Sequence, residues 1–367
     1  MRHLFITQDY PPDLGGMARR HVELVRRFGN ATESMEVSTV QLDNAAGFDS
    51  REPYSIYRQP FHFREANRFN RQLQWSRWLV THARNRVDVI HCGNIRPAGY
   101  PTSWANMRLK IPYIVYVNGG DLLRERQKIA GSSLKRNTAR RILGNASGIA
   151  ATSEWVAGLT REVMEQAGVR TAPPVSALGL GTDPAAFSSS HATGELRRKW
   201  NLGDEPVLLT VARLVPHKGQ DTVIRAMGKL KDRFPDLRYV LAGEGVDESR
   251  LRSIARDAGV SERVVFAGAV DDSELPDAYA SSTIYVGASR IDNVINAEGY
   301  GISFLEASAS GLPVVAGDSG GVRSAVRDGE TGLVIAPTDV DAWADAIGSL
   351  LDDQARRKAL GSAGRNA

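Results

Sequence analysis

Two glutamates stand eight residues apart in the stretch Asn296–Gly317, NAEGYGISFLEASASGLPVVAG, with a glycine-rich turn between them. A carboxylate accepts paired hydrogen bonds from vicinal hydroxyls, and one placed near a helix start gains from the helix dipole. Glu306 lies in Phe304-Leu305-Glu306-Ala307-Ser308-Ala309, which reads as the first turns of a helix, and Gly299 and Gly301 precede it. Glycines ahead of a helix leave backbone N–H groups open to a ligand. This chemistry suits a ribose or a hexose better than a bare phosphate. A single acid at a helix start needs no ligand to explain it; two acids with these glycines favour binding.

Other residues with chemical potential sit in short polar stretches that follow apolar runs. Gln8–Gly16 holds two prolines and the pair Gly15-Gly16, which can mark a plain turn or a close backbone approach to phosphate. Asn118-Gly119-Gly120-Asp121, Arg213–Gly219, Gly243-Glu244-Gly245 and Gly268-Ala269-Val270 are the others. None of these stretches holds a paired-aspartate motif or clustered histidines of the kind that hold a divalent cation.

The elements that must carry these stretches alternate as strand and helix, which predicts an α/β fold. In the first half the strands are Leu4–Thr7, Val37–Leu42, Val87–His91, Tyr113–Val117 and Ile149–Thr152. Helices are read over Met17–Phe28, Asn67–Asn85, Pro97–Met107 and, after Ser153, Glu154–Gln166; 43–58 has no clear form. The helix at Met17 is read with Arg19, Arg20, Arg26 and Arg27 outside. Trp75, Trp78 and Leu79 share one face of the next helix, whose other face carries Arg68, Arg71, Arg77, Arg84 and Arg86. The alternation pauses near Thr171–Pro174, and a fresh series starts at Val207–Val211 after a short helix at Glu195–Trp200. It continues with strands Tyr239–Ala242, Val264–Ala267, Thr283–Gly287, Pro313–Ala316 and Leu333–Ile335, and ends in a helix from Val340. Domains 1–175 and 176–367 are expected. The polar stretches all fall at strand carboxyl ends, where open α/β sheets bind ligands.

With 367 residues, 42% hydrophobic and 24% charged, the chain can form two ordinary globular domains. One cysteine, Cys92, excludes an internal disulfide and suits a reducing cytoplasm. Met1–Thr7 lacks the apolar core of a signal peptide. No apolar run approaches about 20 residues, so the chain is expected to cross no membrane. The net charge of +4 is unevenly spread: residues 1–175 hold 25 Lys and Arg against 15 Asp and Glu, leaving the remainder net acidic. The front half is therefore expected to meet something anionic, such as lipid headgroups or a phosphorylated acceptor, unless it is an ordinary arginine-rich surface. No nucleic-acid partner is expected.

Four stretches in this order, Asp9–Gly16, Val211–Gly219, Gly243–Gly245 and Glu298–Glu306, carry a family resemblance. The chain resembles the retaining glycosyltransferases of family 4, which include sucrose synthases and bacterial mannosyltransferases. Its LEASASGLPVVAGDSGG segment is most like that of phosphatidylinositol-mannoside mannosyltransferases. The resemblance implies the GT-B fold, two Rossmann-like α/β domains facing each other across a deep cleft. The first domain would bind the acceptor and the second the nucleotide-sugar donor. Relatives usually continue past Gly361–Ala367 with helices that cross back to the first domain, so the last helices are expected to be cut short.

The resemblance also implies roles. Arg213 and Lys218 would neutralise the donor diphosphate in place of a metal ion, and Glu298 and Asn118 would complete the catalytic set. Gly15 and Gly16 would approach the diphosphate, while Gly243 and Gly245 would line the donor site. Glu306 would hold the ribose. Gly299, Tyr300, Gly301, Ile302 and Ser303 would offer backbone N–H groups around the donor sugar, and Gly268 and Val270 would meet the base. Asp9, Tyr10 and Asp121 would stand on the acceptor side. No cofactor is implied; the donor would be GDP-mannose ahead of UDP-sugars. The reaction would be metal-independent, front-side hexosyl transfer with retention to a lipid-linked or glycolipid hydroxyl, at the inner face of the plasma membrane. The rival readings are the same chemistry on a soluble acceptor, and a sugar-nucleotide binding protein with little transfer. Asn118 and the short C-terminus motivate the last, since many relatives have a histidine at the former and asparagine cannot titrate. A plain dehydrogenase is disfavoured, because neither Gly15-Gly16 nor Gly243-Glu244-Gly245 completes the dinucleotide fingerprint.

Overall fold

The structure, a computed structural model, describes residues 1–13, 15–29, 34–60, 68–292 and 296–367. Contacts divide the chain into two units, Met1–Leu178 and Gly179–Ala367. Each is a parallel α/β sheet flanked by helices.

The first unit runs β1 (Arg2–Ile6), α1 (Gly16–Gly29), β2 (Ser34–Val40), α2 (Ala45–Asp49), β3 (Ser55–Gln59), α3 (Arg68–Ala83) and β4 (Val89–Cys92). It continues with α4 (Gly99–Leu109), β5 (Tyr113–Val117), α5 (Gly119–Ala130), α6 (Ser133–Gly144), β6 (Gly148–Ala151), α7 (Glu154–Ala167) and β7 (Val175–Ala177). The sheet order is β3-β2-β1-β4-β5-β6-β7, and every pairing is parallel. β1 thus lies between β2 and β4, and the order reverses there. Such a switch opens a crevice at the strand carboxyl ends. Ser153 caps α7 by accepting from the Val156 N–H, as its position in the sequence implied.

Several features differ from the sequence reading. The unassigned stretch 43–58 forms α2 and edge strand β3, whose Ile56 and Tyr57 pair with Val37 and Ser38. Asn118–Asp121 does not merely close a strand: it opens α5, and α6 follows after one turn. β7, where the alternation paused, completes the sheet edge. The expected start of α3 at Asn67, and the side chain of Arg68, lie outside the described residues, as does Leu14 in the Asp9–Gly16 stretch.

The second unit runs α8 (Glu195–Lys199), β8 (Val207–Val211), α9 (Gln220–Leu230), β9 (Arg238–Ala242), α10 (Glu248–Asp257), β10 (Val264–Gly268) and α11 (Leu275–Ala280). β11 (Ile284–Gly287), α12 (Ile302–Ala309), β12 (Val314–Gly317), β13 (Gly332–Ile335), α13 (Val340–Asp352) and α14 (Gln354–Asn366) follow. The sheet order is β10-β9-β8-β11-β12-β13, again all parallel, with its reversal between β8 and β11. Strand residues alternate between two buried cores. Leu208, Tyr239, Leu241 and Val286 join one with Trp343, while Val207, Leu209, Val240 and Tyr285 join the other with Phe304. A parallel sheet covered on both faces needs this nearly continuous apolar sequence. α14 packs on α12 and α13, and Arg365 ties it down by donating to the Ala309 and Phe187 carbonyls.

Candidate active site

In the second unit the polar stretches stand at the carboxyl ends of β8, β9, β10 and β11. Lys218 follows β8 on a single 3-10 turn, Pro216–Lys218, and Gly219 closes that turn at φ 70°. A side chain at Gly219 would put its Cβ 1.9 Å from the Ala288 carbonyl oxygen, so only glycine lets this loop lie against the end of β11. Lys218 Nζ then donates to Glu298 Oε2 at 2.5 Å, with Ser289 Oγ also donating, at 3.5 Å. Burial pushes the Glu298 carboxyl upward, but the Lys218 ammonium, with His217 and Ser289, more than offsets it and holds the group below its ordinary value. Glu298 is a carboxylate at neutral pH.

Glu298 is fixed from behind by residues to which the sequence reading gave no role. Its carbonyl accepts from the Gly321 N–H at 2.8 Å, and Gly320, at φ 57°, approaches so closely that a Cβ would lie 2.2 Å from that carbonyl oxygen. In the sequence Gly320-Gly321 was visible only as a glycine pair after β12. Arg290 holds the other loop: its N–H donates to the His217 carbonyl at 2.8 Å, and its guanidinium meets Asp221 in the first turn of α9 at 3.0 Å.

Gly301, at φ 98°, is the N-cap of α12, whose first residue Ile302 lies two before the helix start read from the sequence. At the start of α12 the Phe304 N–H donates to the Gly301 carbonyl at 3.1 Å, and the N–H groups of Ile302 and Ser303 come before the first intrahelical bond. Tyr300 beside them is buried. Glu306 lies one turn in, buried, and its Oε2 accepts from the Tyr279 hydroxyl of α11 at 2.7 Å. Gly243 and Gly245 serve the backbone, since a Cβ on either would meet the Ala212 or Leu214 carbonyl oxygen at 2.1 Å. They let the β9 end lie flat against the loop that carries Arg213, whose side chain is exposed. Gly268 accepts from the Gly243 N–H at 2.7 Å, and Glu244 reaches the Ala269 N–H at 3.4 Å; Val270 is half-buried there. Lys218, Glu298 and the start of α12 thus bring a cation, a carboxylate and the N-terminal end of a helix together beyond the strand ends of the second sheet.

In the first unit the residues at the carboxyl ends of β1, β4 and β5 form a second polar cluster. Asp9 Oδ2 accepts from Asn94 Nδ2 at 3.0 Å, and the Asp9 carbonyl accepts from His21 Nδ1 at 2.8 Å. Burial raises the Asp9 carboxyl above its ordinary value, against the pull of Asn94. Gly15 and Gly16 are exposed where α1 begins.

Three of the expected placements are corrected by the structure. Tyr10 is 0% exposed and its hydroxyl pairs with that of Tyr54 at 2.8 Å, so it is a core residue rather than an acceptor contact. Asp121 is turned inward: its Oδ1 accepts from the Asn118 and Leu122 N–H groups at 2.9 and 2.8 Å, capping α5. Arg20, read as outside, is buried, because α1 sits so deeply that the flank of its apolar face is covered as well. Asn118 keeps its place at the β5 end, with its side-chain oxygen bound by Arg20.

Among the described residues no group of three or more His, Cys, Asp or Glu could hold a metal ion. No helix among them is long and apolar enough to cross a membrane.

A model of the group 1 glycosyl transferases matches residues 193–367, and one of the glycosyl transferase 4-like domain matches residues 15–175. The chain is 31% identical to a GDP-mannose-dependent alpha-(1-6)-phosphatidylinositol monomannoside mannosyltransferase of Mycobacterium tuberculosis, over 99% of this chain and 92% of that one. Among solved structures it is similar to sucrose-phosphate synthase from Thermosynechococcus elongatus, with a TM-score of 0.79, 22% identity and coverage of 100% and 93%. Anabaena HepE in complex with UDP and glucose gives a TM-score of 0.78 at 20% identity, with coverage of 100% and 94%.

Proposed function

The chain belongs to the group 1 glycosyl transferases and is a glycosyltransferase of the GT-B fold, and on that premise we propose that it transfers a mannosyl group from GDP-mannose to a hydroxyl of a phosphatidylinositol-mannoside-type glycolipid. The observation that carries the proposal is the Lys218–Glu298 pair beside the start of α12, in a chain related over nearly its full length to such a mannosyltransferase. A Lys ammonium has three donors. One bond to Glu298 leaves two for the β-phosphate, so the cation can serve the leaving group while the carboxylate accepts from sugar hydroxyls. As the bond from C1 to the phosphate oxygen breaks, negative charge grows on the diphosphate, and Arg213 and Lys218 are the cations to meet it. In the retaining, front-side course the acceptor oxygen bonds C1 on the face the phosphate leaves, and a phosphate oxygen takes the acceptor proton. No protein nucleophile and no metal ion are needed in this scheme. Its demands are position and charge.

A glycolipid acceptor calls for contact with a membrane surface. α4 adjoins both α3 and α6, and the three helices expose Arg77, Arg108, Arg136 and Arg140 together with Phe69 and Leu134, which are 80% and 72% exposed. Cations beside exposed apolar side chains suit an anionic headgroup layer. Peripheral attachment at the cytoplasmic face fits this reading.

Calorimetric titration with GDP, UDP and ADP tests the donor. GDP is expected to bind, and Glu306→Ala to weaken it about tenfold or more through loss of the ribose contact, a step of about 1.4 kcal/mol. Binding of UDP or ADP in preference to GDP overturns the mannosyl assignment. Transfer to a soluble sugar but not to a phosphatidylinositol mannoside in vesicles overturns the lipid acceptor.

A further inference from the structure

Arg20 is 8% exposed and lies against the end of β5. Its Nη1 donates to Asn118 Oδ1 at 2.7 Å, and the guanidinium carbon sits 5.6 Å from the centre of the Tyr116 ring. Its Nε is buried and has no partner among the described residues. A buried guanidinium is costly unless paired, and a carboxylate is its usual partner. Asp121 carries a carboxyl whose charge reaches Arg20, yet its Oδ1 is given to two backbone N–H groups. Arg20 is bound instead to a neutral amide. As a device for stability this is a poor choice.

It is a good choice for fixing an amide. An asparagine side chain has an accepting oxygen and a donating N–H2, and the two ends exchange by a half-turn. With Arg20 in place only one orientation works, because the other sets N–H groups against N–H groups. Asp121 fixes the same residue from the backbone side by accepting the Asn118 N–H. Asn118 is therefore clamped at both ends, at the carboxyl end of β5, one strand beyond the sheet's reversal between β1 and β4. Its Nδ2 is buried and has no partner among the described residues. A clamped, unanswered donor is what a binding site holds ready for a ligand oxygen.

We infer that Arg20 is a positioning residue for glycosyl transfer: it sets the Asn118 amide so that Nδ2 donates to a hydroxyl oxygen of the substrate at the carboxyl edge of the first sheet. Its charge also polarises that amide and strengthens the donation. The inference rests on the glycosyl-transfer reading for its assay, though not on which sugar nucleotide is used.

The test is a double-mutant cycle of Arg20→Met and Asn118→Ala, with Arg20→Lys as the conservative variant. Transfer or hydrolysis of GDP-mannose, or of whichever sugar nucleotide the wild type turns over, is measured beside GDP or matching diphosphate affinity. Each single change is expected to lower kcat about tenfold or more, with diphosphate affinity within about twofold of wild type. The double variant should be no slower than Asn118→Ala alone, and Arg20→Lys should recover part of the loss by keeping a charged donor. Losses that multiply in the double variant overturn the inference, since independent residues add in free energy. So does wild-type kcat in Arg20→Met. If Arg20→Met fails to fold, Arg20→Lys against Asn118→Ala decides the same question. A wild type that turns over no sugar nucleotide overturns the glycosyl-transfer reading itself, and the inference falls with it.

Discussion

At the scale of single residues, the two polar clusters place their carboxylates in opposite states. Glu298 is half-buried and paired, so it stays charged; its contribution to stability is present at neutral pH and lost only as pH falls through its lowered folded value. The Asp121 carboxyl is turned inward with no ion pair among the described residues, and burial pushes it up to about 7, against the pull of two backbone N–H groups, Arg124 and Arg20. The unfolded chain releases this proton near the ordinary value of 3.8, and the folded chain keeps it until about 7. Between those values the folded state binds more protons, so stability falls as pH rises, by up to about 1.4 kcal/mol per pH unit. Asp121→Asn removes this dependence and keeps an oxygen for the cap. The variant is expected to gain on wild type in melting temperature between about pH 5 and about pH 8, and a difference that stays constant over that range refutes the shifted carboxyl.

At the scale of elements, the cluster of the second unit is built by loops pressed onto strand ends, and glycine is what permits the pressing. Gly219 against Ala288, Gly243 and Gly245 against the Arg213 loop, and Gly320 against Glu298 all make backbone approaches that a Cβ would block. The positive φ of Gly219 adds a cost of about 1–2 kcal/mol for any other residue. Gly311 offers the comparison, having a similar φ of 77° but open space where a Cβ would go. Gly311→Ala should lower stability by about 1 kcal/mol and leave transfer near wild type. Gly219→Ala must also move the Lys218 loop off β11, so transfer should drop about a hundredfold and the melting temperature should fall further. Equal effects of the two changes would mean that the close approach positions nothing.

At the scale of the whole molecule, charge separates the two units. Residues 176–178 carry no charge, so the first unit has the same surplus of ten positive charges as residues 1–175. Attraction of that surplus to anionic lipid is screened within about 8 Å at physiological salt. Binding to vesicles rich in acidic lipid should therefore weaken steeply from about 0.05 to about 0.5 M salt, with a smaller salt dependence in Arg77→Glu/Arg136→Glu. Salt-insensitive binding would point to Phe69 and Leu134 instead, and no binding at low salt would remove the membrane from the proposal.

The sequence by itself determined the alternation of strands and helices, the α/β class and the stretches that gather at the strand ends. Period and turn chemistry are local properties, written in consecutive residues such as Val207–Val211 and Ser153–Glu154. It also carried the Glu298–Glu306 spacing, because one loop and one helix turn hold both acids. α5, α6 and β7 were not legible: a polar, charged helix after Asn118 has little apolar period, and a three-residue edge strand is stabilised by its neighbour rather than by its own residues. Tertiary structure alone decided which polar side chains became buried partners. Lys218 and Glu298 are 80 residues apart, Arg20 and Asn118 are 98 apart, and Tyr10 meets Tyr54 across 44. Such pairs depend on which strands lie side by side, and that order is set by the packing of the whole sheet, which no window of consecutive residues contains.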